Sequence, residues 1–166
     1  MNRIKLVIPS RERVSEVSET KAGDRYVVGF MFNPTEDAVL LIRKTHPNWQ
    51  KGKLNGVGGR IDEGESALDA MRREFLEEVG FEHMNWQQFC VLGDARNWQI
   101  HFFWTLGPIG KAIALTDESP EIHGAWSLPL DTIPNLKWLI PMALSMKFET
   151  ITHFDIREVK TTTEEN

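Results

Sequence analysis

Apolar and polar positions along the chain predict short strands separated by turns and loops. Residues 26–32 and Ala38–Arg43 are dense in apolar, β-favouring side chains, and the sequence Asn-Pro-Thr-Glu-Asp at 33–37 lies between them. Proline, asparagine and aspartate favour a turn there, so the two segments are predicted to form a β-hairpin. Residues 87–95 and 99–106 have the same apolar character and predict two further strands.

Two helices are predicted in addition to these strands. Residues 66–79 form the first helix, and residues 139–148 form the second, with Pro141 in its first turn, where a missing N–H group is tolerated. A loop is predicted at 107–124 and a short strand at 125–128. The order of strands, helix, strands and helix indicates an α/β fold with a mixed sheet between helices.

The length of 166 residues is that of one domain with its own hydrophobic core. We find no internal repeat, low-complexity tract or linker in the sequence. Residues 1–24 are predicted to be an N-terminal arm, with membership of the domain as the alternative, and the arm is compatible with a homodimer contact. Residues 25–155 are predicted to be the domain, and residues 156–166 a C-terminal tail.

Composition and charge limit the classes of partner. The net charge of −5 argues against duplex nucleic acid, which favours a basic surface, but a small anionic substrate is not excluded. No apolar stretch approaches the roughly 20 residues that cross a bilayer, so no membrane partner is expected. The single cysteine, Cys90, lies in an apolar run, predicts a buried thiol, and favours a reducing, cytoplasmic location.

Three carboxylates on the predicted first helix point to a metal site. Glu74, Glu77 and Glu78 are spaced i, i+3 and i+4, which places them on one face of an α-helix. Such a cluster is repulsive in an isolated helix unless a cation neutralises it. Mg²⁺ prefers oxygen ligands and is commonly shared with substrate phosphates, so it is the expected cation, with Mn²⁺ as an alternative.

The same residues belong to a longer pattern, G-x5-E-x7-R-E-U-x-E-E-x-G-U, in which U is a bulky apolar residue. Every fixed position is present, and the two apolar positions are aromatic: Gly59, Glu65, Arg73, Glu74, Glu77, Glu78 and Gly80, with Phe75 and Phe81. The pattern is the signature of the Nudix hydrolases, which this chain resembles loosely from about residue 26 to 148. The resemblance implies an α/β/α sandwich in which the signature forms a loop-helix-loop.

The resemblance also implies roles for these residues. The metal would be held by the carboxylates of Glu74, Glu77 and Glu78 and the backbone carbonyl of Gly59. The glutamate that matches Glu74 is a general base in some accounts, whereas other family members place the base in a later loop. That loop contains Glu118 and Glu121 here, and we favour Glu118 as a base or distal metal ligand, with a solvent-exposed loop acid as the alternative.

The remaining signature residues have an expected structural role. Glu65 and Arg73 are about two helical turns apart and are expected to brace the loop against the helix, and Gly80 is expected to form a left-handed helix cap. Arg60 and Lys53 are candidates for contact with phosphate oxygens, and simple solvation is the alternative for both.

A finer resemblance concerns the substrate. Residues 52–60, GKLNGVGGR, are similar to a segment of the oxidised-purine nucleoside triphosphatases, in which the asparagine that matches Asn55 binds the purine base. The chain departs from that pattern at Leu54 and Val57, where those enzymes carry aromatic residues. Trp138 is a candidate for base stacking, with core packing as its alternative, and Trp49 is a second stacking candidate.

These observations predict a Mg²⁺-dependent nucleotide pyrophosphohydrolase. It would cleave an (oxidised) purine (deoxy)nucleoside triphosphate to the monophosphate and pyrophosphate. Hydrolysis of ADP-ribose, a nucleotide sugar or a dinucleotide is the alternative within the class. A non-catalytic module that senses a nucleotide is the alternative outside it, and hydrolysis of RNA 5′ ends is disfavoured by the acidic charge.

Overall fold

A computed structural model describes residues 4–7, 23–94, 98–146 and 154–158 of the chain. Within these ranges the chain forms eight strands, two α-helices and a short 3-10 helix at Ile109–Lys111. The strands are β1 (Ile4–Val7), β2 (Asp24–Phe32), β3 (Ala38–Arg43), β4 (Leu54–Asn55), β5 (Gln87–Asp94), β6 (Trp98–Leu106), β7 (Ser119–Gly124) and β8 (Phe154–Glu158). The helices are α1 (Ala67–Val79) and α2 (Leu136–Ser145).

All eight described strands belong to one mixed sheet. The order is β1-β8-β5-β6-β2-β3-β4, and β7 pairs with β3 beside β4. The pairs β2–β6 and β5–β8 are parallel and the others are antiparallel. The predicted hairpin is confirmed, because Met31 pairs with Leu40 and Phe32 with Val39. Neither α-helix is long and apolar enough to cross a membrane.

The sheet buries one apolar cluster on each face, because successive side chains of a strand point to opposite sides. On β2, Met31 belongs to the cluster that α1 covers with residues such as Phe75. Its neighbour Phe32 belongs to the cluster that α2 covers with residues such as Leu139. The predicted α/β/α sandwich with a mixed sheet is therefore confirmed.

Helix α1 begins and ends at residues suited to those positions. Ser66 is the N-cap, and its Oγ accepts a hydrogen bond from Asp69 N at 3.1 Å, which satisfies one of the free N–H groups of the first turn. Gly80 follows the last turn with φ 83°, a left-handed conformation that glycine adopts without a steric penalty. The predicted helix at 66–79 is confirmed to within one residue.

The loop predicted at 107–124 is wrong from residue 119 onward, and the strand predicted at 125–128 is wrong. Residues 119–124 form β7, and residues 125–127 form the turn that follows it. The sequence pattern did not predict this strand, because SPEIHG contains proline, glycine and charged residues and no alternation of apolar and polar positions. Pairing with β3 and a double contact between Arg43 and Glu121 hold it in the sheet.

The second helix begins three residues earlier than predicted, at Leu136. Pro141 therefore lies inside α2, not in its first turn, and the helix lacks one backbone hydrogen bond there. Burial of Leu136, Leu139 and Ile140 against the sheet compensates for that loss. Residue 95 of the predicted third strand and residues 147–148 of the predicted helix lie outside the described residues.

The predicted domain division stays a prediction. Strand β1 lies within the predicted arm, and β8 extends to residue 158, inside the predicted tail. The two strands pair with each other, and β8 also pairs with β5. Residues 1–3, 8–22 and 159–166 of the arm and tail lie outside the described residues.

Candidate active site

The glycine-rich segment before α1 is fastened to β2 by backbone hydrogen bonds. Gly29 N donates to Val57 O at 2.7 Å, and Val27 N donates to Gly59 O at 2.9 Å. Gly58 has φ 151°, and a Cβ atom at this position would overlap the carbonyl oxygen of Val27. The close approach of these two segments therefore requires glycine at position 58, and it fixes the peptide group that precedes Gly59.

The carboxylate of Glu74 lies directly over Gly59. A Cβ atom at Gly59 would be 2.5 Å from Cδ of Glu74, so a larger residue would displace the carboxylate. Arg73 Nη1 donates to Glu74 Oε1 at 2.8 Å. Burial raises the pKa of Glu74 above its usual range, and the neighbouring guanidinium of Arg73 only partly opposes this.

Arg73 connects the helix to the loop before it. Its Nε and Nη2 donate to the two carboxylate oxygens of Glu65 at 3.0 and 2.9 Å, and Nη2 also donates to Arg60 O at 3.0 Å. A two-point contact of this kind fixes both the distance and the orientation of its partners. The carboxylate of Glu65 has a pKa below its usual range because Arg73 donates to its charged form.

Glu78 reaches the same loop from the next turn of the helix. Its Oε2 accepts a hydrogen bond from Gly58 N at 3.0 Å, and its Oε1 lies 3.2 Å from Lys44 Nζ. The residue is 8% exposed, and burial raises the pKa of Glu78. Glu77, by contrast, is exposed, and its Oε2 is 3.4 Å from Arg73 Nη1.

Glu118 is brought to this cluster by Lys44, a residue that the sequence did not single out. The Nζ atom of Lys44 contacts Glu118 Oε2 as well as Glu78, and Thr45 N donates to Glu118 Oε1 at 3.0 Å. Lys44 is 8% exposed and Glu118 is 3% exposed, so Glu118 is not a solvated loop acid. Burial opposes both charges, but the carboxylates of Glu78 and Glu118 outweigh it and raise the pKa of Lys44. Hydrogen bonds from Lys44 and Thr45 N likewise outweigh it and lower the pKa of Glu118.

Glu121 belongs to a second network of contacts. Both of its carboxylate oxygens contact the guanidinium of Arg43, and Oε2 is 2.9 Å from Nε2 of His123. Arg43 Nη1 also donates to Asp131 Oδ2 at 2.7 Å. The hydrogen bond from Arg43 holds the pKa of Glu121 below its usual range. This second network joins β3 and β7 to the turn before α2.

The donor set suits a hard divalent cation, although no three metal-binding side chains in the described part of the chain already converge on one point. The carboxylate of Glu74 lies over Gly59, that of Glu78 accepts a hydrogen bond from Gly58 N, and each is paired with a protein cation. Buried carboxylates need such a partner, and Mg²⁺ binds carboxylate and carbonyl oxygen. The residues therefore fit a cation that would take over part of the charge balance from Arg73 and Lys44.

The predicted substrate-binding residues lie in three different segments of the chain. Asn55 Nδ2 donates to Gln50 Oε1 at 2.9 Å, and Asn55 Oδ1 accepts from Gly56 N at 2.8 Å. Arg60 is exposed, and its Nη2 contacts Asp24 Oδ1 at 2.6 Å. Trp138 is 38% exposed on α2.

Asn55 and Trp138 belong to elements on different faces of the sheet, although the segment before α2 pairs with Leu54, the neighbour of Asn55. Asn55 pairs with Ile42, whose side chain belongs to the cluster under α1. Helix α2, which carries Trp138, packs against the cluster on the other face of the sheet. Trp49, the second stacking candidate, is 62% exposed and lies in the loop that also carries Gln50.

Comparison with known proteins supports the resemblance to the Nudix hydrolases that the signature indicates. A family model described as the NUDIX domain matches residues 24–145. The chain is 31% identical over 112 residues to a putative 8-oxo-dGTP diphosphatase of Bacillus subtilis (strain 168), which covers 64% of this chain and 70% of the relative. It is 39% identical over 77 residues to an RNA pyrophosphohydrolase of Psychrobacter sp. (strain PRwf-1), which covers 46% of this chain and 40% of the relative.

A solved structure shares the fold. The MutT NUDIX hydrolase from Burkholderia pseudomallei superimposes with a TM-score of 0.62 at 17% identity, covering 74% of this chain and 98% of that protein. The family model spans the glycine-rich segment, α1 and the loop that carries Glu118. The chain therefore belongs to the Nudix family and is a MutT-like Nudix hydrolase.

Proposed function

We propose that this Nudix hydrolase is a Mg²⁺-dependent nucleotide pyrophosphohydrolase that converts an (oxidised) purine (deoxy)nucleoside triphosphate to the monophosphate and pyrophosphate. One observation carries the proposal. The half-buried carboxylate of Glu74 lies over Gly59, the buried carboxylate of Glu78 accepts a hydrogen bond from Gly58 N, and Lys44 links Glu118 to Glu78. Two acids on a fixed glycine loop and a third linked to them through Lys44 form an arrangement suited to phosphoanhydride chemistry.

Each acid has a distinct proposed role. The cation would be held by Glu74, Glu77 and Glu78 together with the carbonyl oxygen of Gly59. When bound, it would neutralise phosphate charge and lower the pKa of a coordinated water. Lys44 and Thr45 N donate to Glu118 and lower its pKa, and we propose Glu118 as a distal metal ligand or as the base.

The other charged residues hold these acids in place. Arg73 binds Glu65, Glu74 and the carbonyl of Arg60, so it fixes the helix against the loop. We propose a structural role for Glu65, Arg73 and Gly80. Lys44 balances the charges of Glu78 and Glu118 in the absence of a divalent cation.

The choice of a purine triphosphate rests on Asn55 and on similarity. Asn55 presents an amide, which has both donors and an acceptor and can read the edge of a base. The Bacillus subtilis relative is named a putative 8-oxo-dGTP diphosphatase. We propose Trp138 and Trp49 as alternative stacking partners for the base and Arg60 as a phosphate contact. Arg60 would have to leave Asp24 to reach a substrate.

A product assay tests the proposal. Purified protein with Mg²⁺ is incubated with dGTP, 8-oxo-dGTP, dATP, ADP-ribose, NADH and a diadenosine polyphosphate. We expect a purine triphosphate to be preferred, with release of pyrophosphate, and Glu78→Gln to lower kcat by about a hundredfold or more. Glu63→Gln, which changes an exposed acid of the preceding loop, is the matched control and should retain activity.

The other outcomes separate the alternatives. Preference for ADP-ribose, NADH or the dinucleotide would keep the chemistry and refute the substrate. Nucleotide binding without turnover in Mg²⁺ or Mn²⁺ would favour a sensing module. An unchanged kcat in both Glu77→Gln and Glu78→Gln would refute the proposed metal ligands.

RNA 5′ ends are a second candidate substrate, because one relative is named an RNA pyrophosphohydrolase. The match covers only 40% of that relative, and the net charge of −5 disfavours a long polyanion. A short RNA with a 5′-triphosphate belongs in the same panel. Its preferential hydrolysis over every free nucleotide would replace the purine triphosphate as the proposed substrate.

A further inference from the structure

The loop between β3 and β4 holds Gln50 in a fixed position. Gln50 N donates to Pro47 O at 2.8 Å, and Gln50 O accepts from Lys53 N at 2.8 Å. Lys44 N donates to Lys53 O at 2.9 Å, which closes the loop at its base. The half-buried side chain of Gln50 therefore projects from a hydrogen-bonded frame next to the proposed base-reading residue, Asn55.

The backbone of Asn55 is fixed as well. It pairs with Ile42 of β3, and the following residue, Gly56, packs so closely on β2 that a Cβ atom there would lie 2.8 Å from Gly29 O. The side-chain amide is then oriented by its contacts. Asn55 Oδ1 accepts from Gly56 N, and Asn55 Nδ2 donates to Gln50 Oε1.

These two contacts define the orientation of both amides. Only an oxygen can accept from the backbone N–H of Gly56, so Nδ2 of Asn55 must face Gln50 and must donate to the oxygen of that residue. Asn55 is left with one N–H group, and Gln50 is left with the two N–H groups of Nε2. The part of the chain that the structure describes offers these groups no further hydrogen bond.

We propose that Gln50 determines base specificity: bound to Asn55, it supplies N–H donors to the substituent at position 6 of a purine and so favours 6-oxopurine over 6-aminopurine nucleotides. The inference rests on the proposed function, since it concerns the base of the same nucleotide. A carbonyl oxygen at position 6 accepts from these donors, whereas an amino group places donor against donor. In a half-buried site the unpaired donors lose their water and gain nothing in return.

The test compares deoxyinosine and deoxyadenosine triphosphates, which share the ring and both lack a 2-amino group. We expect the wild-type protein to favour the 6-oxo substrate by about tenfold in kcat/KM, mainly through KM. Gln50→Glu keeps the oxygen that binds Asn55 but replaces the donors with an acceptor. It should reduce the preference by about tenfold.

Four further variants show whether the effect comes from Gln50 acting together with Asn55. Gln50→Ala frees the amide of Asn55, so its preference should fall to that of Asn55→Ala, and the double variant should show no further change. Lys51→Ala, in the same loop but exposed, should keep the wild-type preference. The melting temperature of each variant reports whether the fold is intact.

The outcomes separate the inference from the proposed function. A wild-type preference for the 6-amino substrate, no preference at all, or an unchanged preference in both Gln50 variants would refute the role of Gln50 and leave triphosphate hydrolysis in place. Absence of any triphosphate turnover by the wild-type protein would refute the function. In that case calorimetry measures the dissociation constants of dIMP and dAMP for the same variants. Their ratio replaces the ratio of kcat/KM values and tests the role of Gln50 in the same way.

Discussion

The charge of Lys44 is predicted to be essential to the stability of the metal-free protein. Its ammonium group lies between Glu78 and Glu118, and all three residues are less than 10% exposed. In Lys44→Met the side chain keeps much of its length but loses the charge. Two buried carboxylates then remain next to each other with neither a counter-ion nor full hydration.

The magnitude follows from these contacts. A hydrogen bond to a charged group contributes about 1.5–3 kcal/mol, and Lys44 makes two of them. Loss of one partner from a buried ion pair costs about 3–5 kcal/mol, which agrees with that sum. We therefore expect Lys44→Met to lower the free energy of unfolding by about 4 kcal/mol. The melting temperature should fall by roughly 8–16 °C.

Urea unfolding at pH 7 with EDTA, followed by tryptophan fluorescence, measures this loss. Lys51→Met is the matched control, because Lys51 is exposed in the adjacent loop and should change the stability by less than about 0.5 kcal/mol. The double variant Lys44→Met with Glu118→Gln should be more stable than Lys44→Met alone, since it removes one of the two unbalanced charges. A Lys44→Met protein as stable as the Lys51→Met control would refute this account of the cluster.

Three further predictions concern the signature loop, its brace and a histidine. Gly59→Ala should abolish most activity while leaving a folded protein, because the added Cβ would sit 2.5 Å from Cδ of Glu74; kcat and circular dichroism check this. Arg73→Lys cannot keep the two-point contact with Glu65, so we expect a loss of roughly 1–2 kcal/mol in unfolding free energy and a lower kcat, measured by urea titration and initial rates. Burial lowers the pKa of His83 below its ordinary 6.5, so the unfolded chain takes up the proton more readily, and stability should decline as the pH falls below about 6.5. Unfolding of the wild-type and His83→Gln proteins at pH 8 and 5.5 measures this, and an equal decline in both would contradict it.

The parts of the site that could be predicted from the sequence are those set by local spacing. The helix 66–79, its glycine cap and the shared face of the glutamates follow from the periodicity of an α-helix. The brace between Glu65 and Arg73 spans only eight residues, within reach of a helix and its preceding loop. The hairpin at β2–β3 was likewise predictable, because its turn residues are adjacent in the chain.

The parts that were missed depend on contacts between distant segments. Lys44 and Glu118 are 74 residues apart, and Arg43 and Glu121 are 78 residues apart. No periodicity marks such pairs, because each member looks like an ordinary charged residue in its own segment. The strand β7, which carries Glu121, escaped prediction for the same reason: its place in the sheet depends on pairing with β3.

The distant contacts explain how a repulsive cluster can exist in a folded protein. The signature places acids on one helical face, but their burial is tolerable only if cations from elsewhere balance them, and here Lys44 comes from the end of β3. A divalent cation that entered the proposed site would compete with this ammonium group and with Arg73. Its binding would therefore displace contacts that Lys44 and Arg73 make with the glutamates. The free energy lost with these contacts would offset part of the intrinsic metal affinity. On this account Lys44→Met should gain more stability from Mg²⁺ than the wild-type protein does, because its carboxylates have one competitor fewer.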